Sequence, residues 1–166
     1  MMMKTWSATV SLCVVLSLVM LFGCGGKKKP DGLPTLYPCE IKVIQDGSPL
    51  AGATVSLVSA DGSIKWVVGG GTDDGGIAKI YTHGDFSGAP VGQYKVTITK
   101  TILENAPTQE QLNNPNFAGP MGTDYDCVDL QYKSQKSTPL SMEITSGKNS
   151  KEFDVGKAIH EKVTIR

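Results

Sequence analysis

The chain has almost no arginine, little histidine and no surplus of charge of either sign. Arg166 is the single arginine among 166 residues, and His83 and His160 are the two histidines. The 16 basic and 16 acidic residues balance, and without residues 1–23, whose one charged residue is Lys4, the net charge is −1. This balance argues against a surface that binds nucleic acid or attaches to membranes through a polybasic patch.

The chain also lacks long apolar runs, apart from one near the N-terminus. That run, from Ala8 to Phe22, is about 15 residues long, whereas crossing a bilayer core takes about 20. A run of this length close behind Lys4 is typical of an export signal. Leu21-Phe22-Gly23-Cys24 resembles the lipobox of bacterial lipoproteins, which implies that residues 1–23 are a signal peptide.

The same resemblance implies that Cys24 becomes the lipidated first residue of the mature protein. Two or more acyl chains give stable anchoring, because each buried methylene contributes about 0.8 kcal/mol. The predicted location is the cell envelope, on the outer face of the cytoplasmic membrane or on the outer membrane. Residues 24–38 are rich in Gly, Lys and Pro and are predicted to be a flexible tether. The alternative is an uncleaved anchor, which Lys27-Lys28-Lys29 favours because basic residues tend to stay in the cytoplasm.

Cysteine is scarce, and two of the four cysteines, Cys39 and Cys127, lie in the predicted exported body. Outside the cytoplasm an even pair favours a disulfide. Such a bond would close a loop of nearly 90 residues and contribute about 4–5 kcal/mol. Two separate thiols are the alternative. No metal is predicted at either cysteine, because neither has Cys-x-x-Cys spacing or a neighbouring histidine.

Nineteen glycines and nine prolines argue against long helices, and the hydrophobic period is two. Alternating segments begin at Cys39, Ala53, Tyr94, Leu140 and Phe153, and weaker strand signals cover Ile64–Val68 and Ile77–Thr82. Turn signals separate them at Asp46-Gly47, Asp61-Gly62, Asp73–Gly76 and Ser146–Asn149. The pattern predicts an all-β fold, a seven-stranded antiparallel β-sandwich over residues 39–166.

Three segments, Ser48–Leu57, Thr72–Ala78 and Gly92–Ile98, carry a family resemblance. In that order they resemble the "G-x-P-L-x-G-A-x-V" opening, the "T-D-x-x-G-x-A" hairpin and the "G-x-Y-x-V-x-V" strand of carboxypeptidase-regulatory-like domains. The resemblance covers about residues 37–101 and 138–155. It implies the transthyretin-like (prealbumin-like) sandwich, and the whole chain resembles small bacterial lipoproteins that carry one such domain.

Residues 102–137 depart from a minimal sandwich and are predicted to be a long loop inserted before the last strands. Loops of this length are uncommon and are often functional or disordered. Thr108 is predicted to cap one helical turn, Gln109–Leu112, with Gln111 completing a capping box. The chain end, Val163–Arg166, is predicted to be an edge strand or a frayed tail.

The sequence predicts no enzyme. The hydroxyisourate hydrolases, which the chain resembles in architecture, need a histidine and arginine cluster and a C-terminal Tyr-Arg-Gly-Ser signature. This chain ends Val-Thr-Ile-Arg and has one arginine, Arg166. His83 begins a glycine-rich loop and is predicted to be a solvated turn residue. No Ser or Cys nucleophile stands beside a base in a recognisable motif.

Other candidate sites have simpler explanations. Gly69-Gly70-Gly71 is predicted to be a flexible hairpin connection, because no Gly-Lys-Ser/Thr follows it as in a phosphate loop. Two sets of aspartates could ligate calcium, but aspartates in turns need no metal; the sets are Asp73 and Asp74, and Asp124, Asp126 and Asp129. No metal or cofactor is therefore predicted.

Two further chemistries are open to the residue types present but fit their sequence pattern poorly. Trp66, Tyr81 and Tyr125 could form a sugar-stacking platform, although Trp66 lies in an apolar run and is better explained by packing. An intramolecular Lys–Asn bond, as in similar sandwiches of surface adhesins, would need Lys42 to face inward, against its alternation.

The sequence therefore predicts a lipid-anchored, non-catalytic sandwich that serves as a binding or structural module of the cell envelope. Loops on a rigid sheet often carry recognition, so the predicted working surface is loop 102–137 together with loops 69–76 and 83–92. The predicted partners are the membrane, through the lipid, and an envelope protein or glycan. The alternatives are an envelope hydrolase or a glycan-binding module that uses loop 102–137.

Overall fold

A computed structural model describes residues 28–163 of the chain. The predicted signal peptide 1–23, the lipidation site Cys24 and the start of the tether lie outside these residues. Residues 28–33 belong to a separate unit, in which the Leu33 amide donates to the Pro30 carbonyl at 3.2 Å.

The unit that begins at Pro34 is almost entirely β-structure. Its described part has fifteen short strands: β1 Leu36–Tyr37, β2 Cys39–Gln45, β3 Ser48–Pro49, β4 Thr54–Ser59, β5 Val68–Gly71, β6 Ile77–Lys79, β7 Tyr81–Thr82, β8 Phe86–Ser87, β9 Ala89–Pro90, β10 Gly92–Thr99, β11 Thr101–Glu104, β12 Thr123–Asp126, β13 Ser141–Ile144, β14 Asn149–Asp154 and β15 Glu161–Lys162. Its helices are α1 Gln109–Leu112 and a 3-10 helix Leu130–Lys133.

Two sheets enclose the core. The larger has the order β13-β10-β4-β5-β7-β8, and the smaller has the order β14-β2-β3, with β6 also paired to β2. Two minor sheets, β1-β9 and β11-β12-β15, complete the described part. Both main sheets contribute buried side chains to the core, among them Ile41, Val43 and Phe153 from the smaller sheet and Val55, Leu57, Tyr94, Val96, Ile98, Met142 and Ile144 from the larger. The predicted all-β sandwich is confirmed, although its strands are shorter and more numerous than seven.

The predicted alternation of buried and exposed residues is confirmed in the central strands. In β2, every second residue from Cys39 to Gln45 is buried. In β4 the buried set includes Val55 and Leu57, and in β14 Phe153 is buried between exposed neighbours. A period of two places alternate side chains on opposite faces of a strand, so one face packs on the core and the other meets water.

The predicted all-antiparallel pairing is wrong for the first strand. β14 pairs with β2 in parallel, from Asn149 opposite Cys39 to Asp154 opposite Ile44. Alternation could not reveal this, because a strand with one buried face has the same pattern in either orientation. β13 lies in the larger sheet and β14 in the smaller one. The chain therefore crosses between the sheets after β13 and enters the smaller sheet in the same direction as β2.

Asn149 holds the corner between these two strands. Its side-chain amide donates to the carbonyls of Thr145 and Gly147, both at 3.0 Å, and its carboxamide oxygen accepts from the Thr145 amide at 3.0 Å. Its own backbone amide donates to the Pro38 carbonyl at 2.9 Å. The predicted turn at Ser146–Asn149 therefore exists, and it turns the chain from one sheet to the other.

The segment Gly69–Gly71 is a strand, β5, rather than the predicted flexible connection. It pairs with β4, so the predicted strand Ile64–Val68 contributes only its last residue. A Cβ atom at Gly69 would collide with the Val55 carbonyl oxygen, and one at Gly70 would collide with the Lys79 carbonyl oxygen. The glycines are needed because neighbouring backbone approaches them closely.

The predicted strand Ile77–Thr82 is divided between the two main sheets. β6 pairs with β2 in the smaller sheet, and β7 pairs with β5 in the larger one. Ile80, which links them, is buried, and its amide donates to the Cys39 carbonyl at 3.0 Å. This crossing strand is the segment for which Gly70 leaves room.

The substitution Gly70→Ala tests this close approach. Because its methyl group would meet backbone rather than a movable side chain, we expect a loss of about 3 kcal/mol of unfolding free energy, at the upper end for overpacking. Gly71→Ala is the matched control in the same strand, since the nearest atom to its Cβ is the Ala53 carbonyl oxygen at 3.9 Å. Urea denaturation of both variants measures the difference, and equal stability would contradict the packing described.

The end of the predicted flexible tether is part of the fold. Residues Leu36 and Tyr37, which fall inside the predicted tether 24–38, form β1 and pair with β9. Gly88 makes this possible, because its φ is +102° and a Cβ there would meet the Tyr37 backbone.

The predicted Cys39–Cys127 disulfide is absent, and both thiols are free. The Gln45 side-chain amide donates to the Cys127 carbonyl at 2.9 Å, which places Cys127 beside the last residue of β2, whereas Cys39 is the first. A strand rises about 3.3 Å per residue, so about 20 Å separates the two ends of β2. A disulfide requires Cα atoms within about 7 Å.

Cysteine alkylation tests this separation. Burial, and secondarily the Glu40 carboxylate, raises the pKa of the Cys39 thiol to about 11, and alkylation requires the thiolate. At pH 8 we expect iodoacetamide to modify the half-buried Cys127 in the folded protein and Cys39 only after denaturation. Peptide mass mapping distinguishes the two sites. A Cys39–Cys127 cross-linked peptide in a non-reducing digest would contradict the fold.

Candidate functional site

The predicted loop 102–137 is largely structured. It contains α1, β12 and the 3-10 helix, and it includes most of β11. The predicted capping box at α1 is confirmed: the Thr108 hydroxyl accepts from the Gln111 amide at 3.3 Å, and the Gln111 side chain accepts from the Thr108 amide at 2.8 Å. The segment is an inserted hairpin with helical turns rather than a structureless loop.

β11, β12 and β15 form a three-stranded antiparallel sheet, which we call the insertion sheet. Its register places Ile102 opposite Tyr125 and Tyr125 opposite Lys162. On the adjacent positions, Thr101 lies opposite Asp126 and Asp126 opposite Glu161. Residues opposite one another share a face, so the sheet has a first face with Asp126 and a second face with Tyr125.

The insertion sheet lies at one end of the sandwich. Cys127, which follows β12, donates its amide to the Lys100 carbonyl at 2.9 Å and accepts from Gln45 at the end of β2. The Asp46 amide donates to the Gly156 carbonyl at 3.0 Å, which brings the segment before β15 to the same end. We call this the insertion end.

The chain enters the sandwich at the opposite end. β1 leads directly into the first residue of β2, Cys39, which lies opposite Asn149. Pro90, which pairs with Leu36, accepts a hydrogen bond from the Tyr94 hydroxyl at 2.9 Å near the start of β10. We call this the tether end, and the whole length of β2 separates it from the insertion sheet.

On the first face of the insertion sheet, a buried carboxylate is paired with a lysine. The Asp126 side chain is 6% exposed, and its Oδ2 lies 2.7 Å from Lys133 Nζ on the 3-10 helix. The Thr101 hydroxyl donates to Asp126 Oδ1 at 3.3 Å. This ion pair holds the 3-10 helix against β12. It also gives Asp126, a candidate calcium ligand in the sequence, a structural role that needs no metal.

We expect Asp126→Asn to lower the unfolding free energy by about 2–3 kcal/mol, because it removes a buried charged hydrogen-bond acceptor from Lys133. Glu152→Gln is the matched control: it breaks the Lys42–Glu152 pair, whose N–O distance is 2.8 Å and whose side chains are about half exposed. An exposed pair contributes about 1 kcal/mol or less. Equal losses in chemical denaturation would contradict a special role for Asp126.

On the second face, His160 contacts two residues of the insertion hairpin. Its Nε2 lies 3.0 Å from Glu104 Oε1, and its ring stacks on Tyr125 with centroids 4.1 Å apart and planes 15° apart. Neither partner was singled out with His160 from the sequence, since 56 residues separate it from Glu104. The short polar strands β11 and β12 gave no strong alternation that could have predicted the sheet.

Four large apolar side chains of the insertion are exposed, Leu103, Leu112, Met121 and Leu130, and two of them are more than half exposed. Leu103 of β11 is 55% exposed, and Met121 is 65% exposed. Gly122, which follows Met121 in sequence, lies against Leu103: its φ is +97°, and a Cβ there would be 2.7 Å from Leu103 Cδ1. The insertion end therefore presents apolar surface beside the charged groups of the sheet.

The two histidines do not share a site. His83 has a φ of +56° and is exposed, as expected of a turn residue, and its ring meets the Trp66 ring edge-on with centroids 5.7 Å apart. It follows β7 in the larger sheet, whereas His160 is bonded to Glu104 in the insertion sheet. The hydrolase alternative predicts a cleft that gathers His83 or His160 with acidic side chains, and His160 contacts one such side chain, Glu104.

The three aromatic residues considered for sugar stacking are not on one surface element. Trp66 packs partly against the core, as predicted, and Tyr81 belongs to β7 of the larger sheet. Tyr125 belongs to the insertion sheet, and one of its ring faces is covered by His160. The packing role predicted for Trp66 is therefore confirmed, and the alternative of a sugar-stacking platform is not supported, because Tyr125 belongs to a different sheet from Tyr81.

Two of the other candidate calcium ligands, Asp73 and Asp129, form hydrogen bonds within turns. Asp73 Oδ1 accepts from the amides of Gly75 and Ile77, both at 2.9 Å, and Asp129 Oδ1 accepts from the Gln131 amide at 2.9 Å. Among residues 28–163, no group of three or more His, Cys, Asp or Glu side chains is placed to hold a metal ion. No helix in the same range is long and apolar enough to span a membrane.

Comparisons with known proteins leave the family open. No protein-family model matches the chain, and no curated protein matches it. Among solved structures, the major pilin subunit of Bacillus cereus aligns with a TM-score of 0.41 and 18% sequence identity. The alignment covers 72% of this chain and 30% of the pilin chain. At that TM-score the likeness carries no argument about fold or role.

Proposed function

We propose that this protein is a lipid-anchored, non-catalytic module of the cell envelope that presents its insertion sheet to a protein partner. The observation that carries the proposal is the position of the insertion sheet at the end opposite to β1, where the chain enters the sandwich. The seven residues of β2 separate these ends by about 20 Å. An anchor on the N-terminal side would attach the domain through its tether end and leave the insertion end free for a partner.

The lipid anchor is supported by the sequence Leu21-Phe22-Gly23-Cys24 behind a short apolar run. Lipidation at Cys24 would leave residues 25–35 as a tether before β1 begins. At about 3.3–3.6 Å per residue this tether reaches at most about 35–40 Å. That length would let the domain stand clear of the lipid surface while remaining attached to it.

A transthyretin-like assignment of the sandwich is supported by where the three resembling motifs lie. Ser48–Leu57 spans β3 and most of β4, Thr72–Ala78 covers the turn that ends in β6, and Gly92–Ile98 is most of β10. We propose this fold family on the three motifs and on the strands that they occupy.

A binding role is favoured by exposed apolar surface on an otherwise charged sheet. Leu103 and Met121 are both more than half exposed, and exposed apolar patches with polar surroundings are typical of protein contacts. A protein partner is favoured over a glycan, because Tyr125 is stacked on His160 and has one ring face covered. A non-catalytic role is favoured because no Ser or Cys nucleophile stands beside a base in a recognisable sequence motif.

Variants of the full chain, expressed in the native host, test both the lipid anchor and the binding surface. We expect Cys24→Ser to move the protein from the membrane fraction to the soluble or periplasmic one, while Cys13→Ser leaves it membrane-bound. A photo-crosslinking residue at Met121 should capture a discrete protein in the lipidated form. The same residue at Val91, which is 53% exposed and lies at the tether end, is the matched control.

Each part has its own contradicting outcome. If Cys24→Ser remained in the membrane fraction, the lipid anchor would be wrong, although the domain could still bind a partner. If position 91 captured the same protein as position 121 with equal yield, or neither captured one, the insertion end would not be the working surface.

A further inference from the structure

His160 lies where the C-terminal strand meets the insertion hairpin. It immediately precedes β15, its ring stacks on Tyr125 of β12, and its Nε2 is 3.0 Å from Glu104 Oε1 of β11. One side chain therefore contacts both strands of the hairpin.

The backbone attachment of β15 is short. β15 pairs with β12 at Glu161 and Lys162, and the Val163 amide donates to the Asp124 carbonyl at 2.9 Å. A two-residue edge strand is held weakly by its backbone alone, so side-chain contacts at its start have a large share in keeping it in place.

We infer that His160 and Glu104 form a pH-sensitive ion pair that holds β15 to the insertion hairpin. Histidine is the side chain whose ordinary charge change falls between pH 5 and 8. The inference goes beyond the proposed function and does not depend on the lipid anchor or on a partner.

Glu104 and Lys162 are the charged residues that share this face of the insertion sheet with Tyr125, on which His160 stacks. Glu104 and Tyr125 face it from β11 and β12, and Lys162, opposite Tyr125, shares that face from β15. The acidic residues of the other face are Asp124, Asp126 and Glu161, of which Asp126 is already paired with Lys133. Glu104 is therefore the carboxylate in direct contact with the imidazole.

The sign of the effect follows from the charges. When the imidazole is protonated and Glu104 is ionised, the two form an ion pair, and β15 is held most firmly. As pH rises and the imidazole loses its proton, the charge attraction is lost and at most an uncharged hydrogen bond remains. The ion pair therefore requires both the protonated imidazole and the ionised Glu104 carboxylate.

The effect is modest, because both groups are in contact with water. The His160 and Glu104 side chains are 53% and 42% exposed, and solvent screens such pairs. We expect opening of β15 to become about two- to five-fold less frequent in the protonated state. The ring stack on Tyr125 does not depend on the charge and remains as a constant contribution.

Amide hydrogen exchange on the full chain in detergent micelles measures this opening. Protection factors for Glu161, Lys162 and Val163, corrected for the intrinsic pH dependence of exchange, are followed across the titration of the imidazole by NMR. Because the chain has two histidines, His83→Gln leaves a single imidazole signal to assign. We expect protection to be about two- to five-fold higher on the acidic side of this titration.

Two variants separate the charge from the stack. Glu104→Gln preserves the size of the side chain and removes its charge, so protection of β15 should no longer follow the imidazole titration. His160→Phe preserves a stacking ring without a titrating group and should give protection that is independent of pH over the same range. A wild-type protein without pH-dependent protection, or a Glu104→Gln variant with the same dependence as wild type, would overturn the inference.

Discussion

The parallel pairing of β14 with β2 is the constraint on which the rest of the molecule depends. Six successive residue pairs, from Cys39 with Asn149 to Ile44 with Asp154, join the last long strand to the first. The Asn149 side chain fixes the start of this pairing by bonding the corner that precedes it. Since β14 then runs in the same direction as β2, it delivers the chain to the insertion end, where β15 can join the inserted hairpin.

This path gives the domain two different ends. At the tether end, β1 pairs with β9, and the backbone amide of Asn149 donates to the Pro38 carbonyl. The insertion end gathers a third sheet whose strands come from two distant parts of the sequence, and its two faces differ in chemistry. One face holds the ion pair between buried Asp126 and Lys133 and is structural, while the other presents His160, stacked on Tyr125, to solvent. A module with a fixed entry point and a distinct far end suits display from a surface.

Local patterns in the sequence predicted the structural features that are set by residues near one another in the chain. The alternation in β2 predicted its buried face, and the spacing of Thr108 and Gln111 predicted α1 with its capping box. Patterns could not predict what depends on distant backbone. The orientation of β14 leaves no trace in its alternation, the close approach that requires Gly70 involves the Lys79 carbonyl, and the contact of His160 with Glu104 joins segments far apart in the chain.

The most direct test of this account is the direction of the β2–β14 pairing in solution, measured by cross-strand nuclear Overhauser effects between backbone protons. The account predicts contacts that advance together along both strands, with Ile41 near Lys151 and Val43 near Phe153. Contacts in the reverse order, with Ile41 near Phe153 and Val43 near Lys151, would mean an antiparallel pair. β14 would then end at the tether end, and the separation of the two ends of the domain would be contradicted.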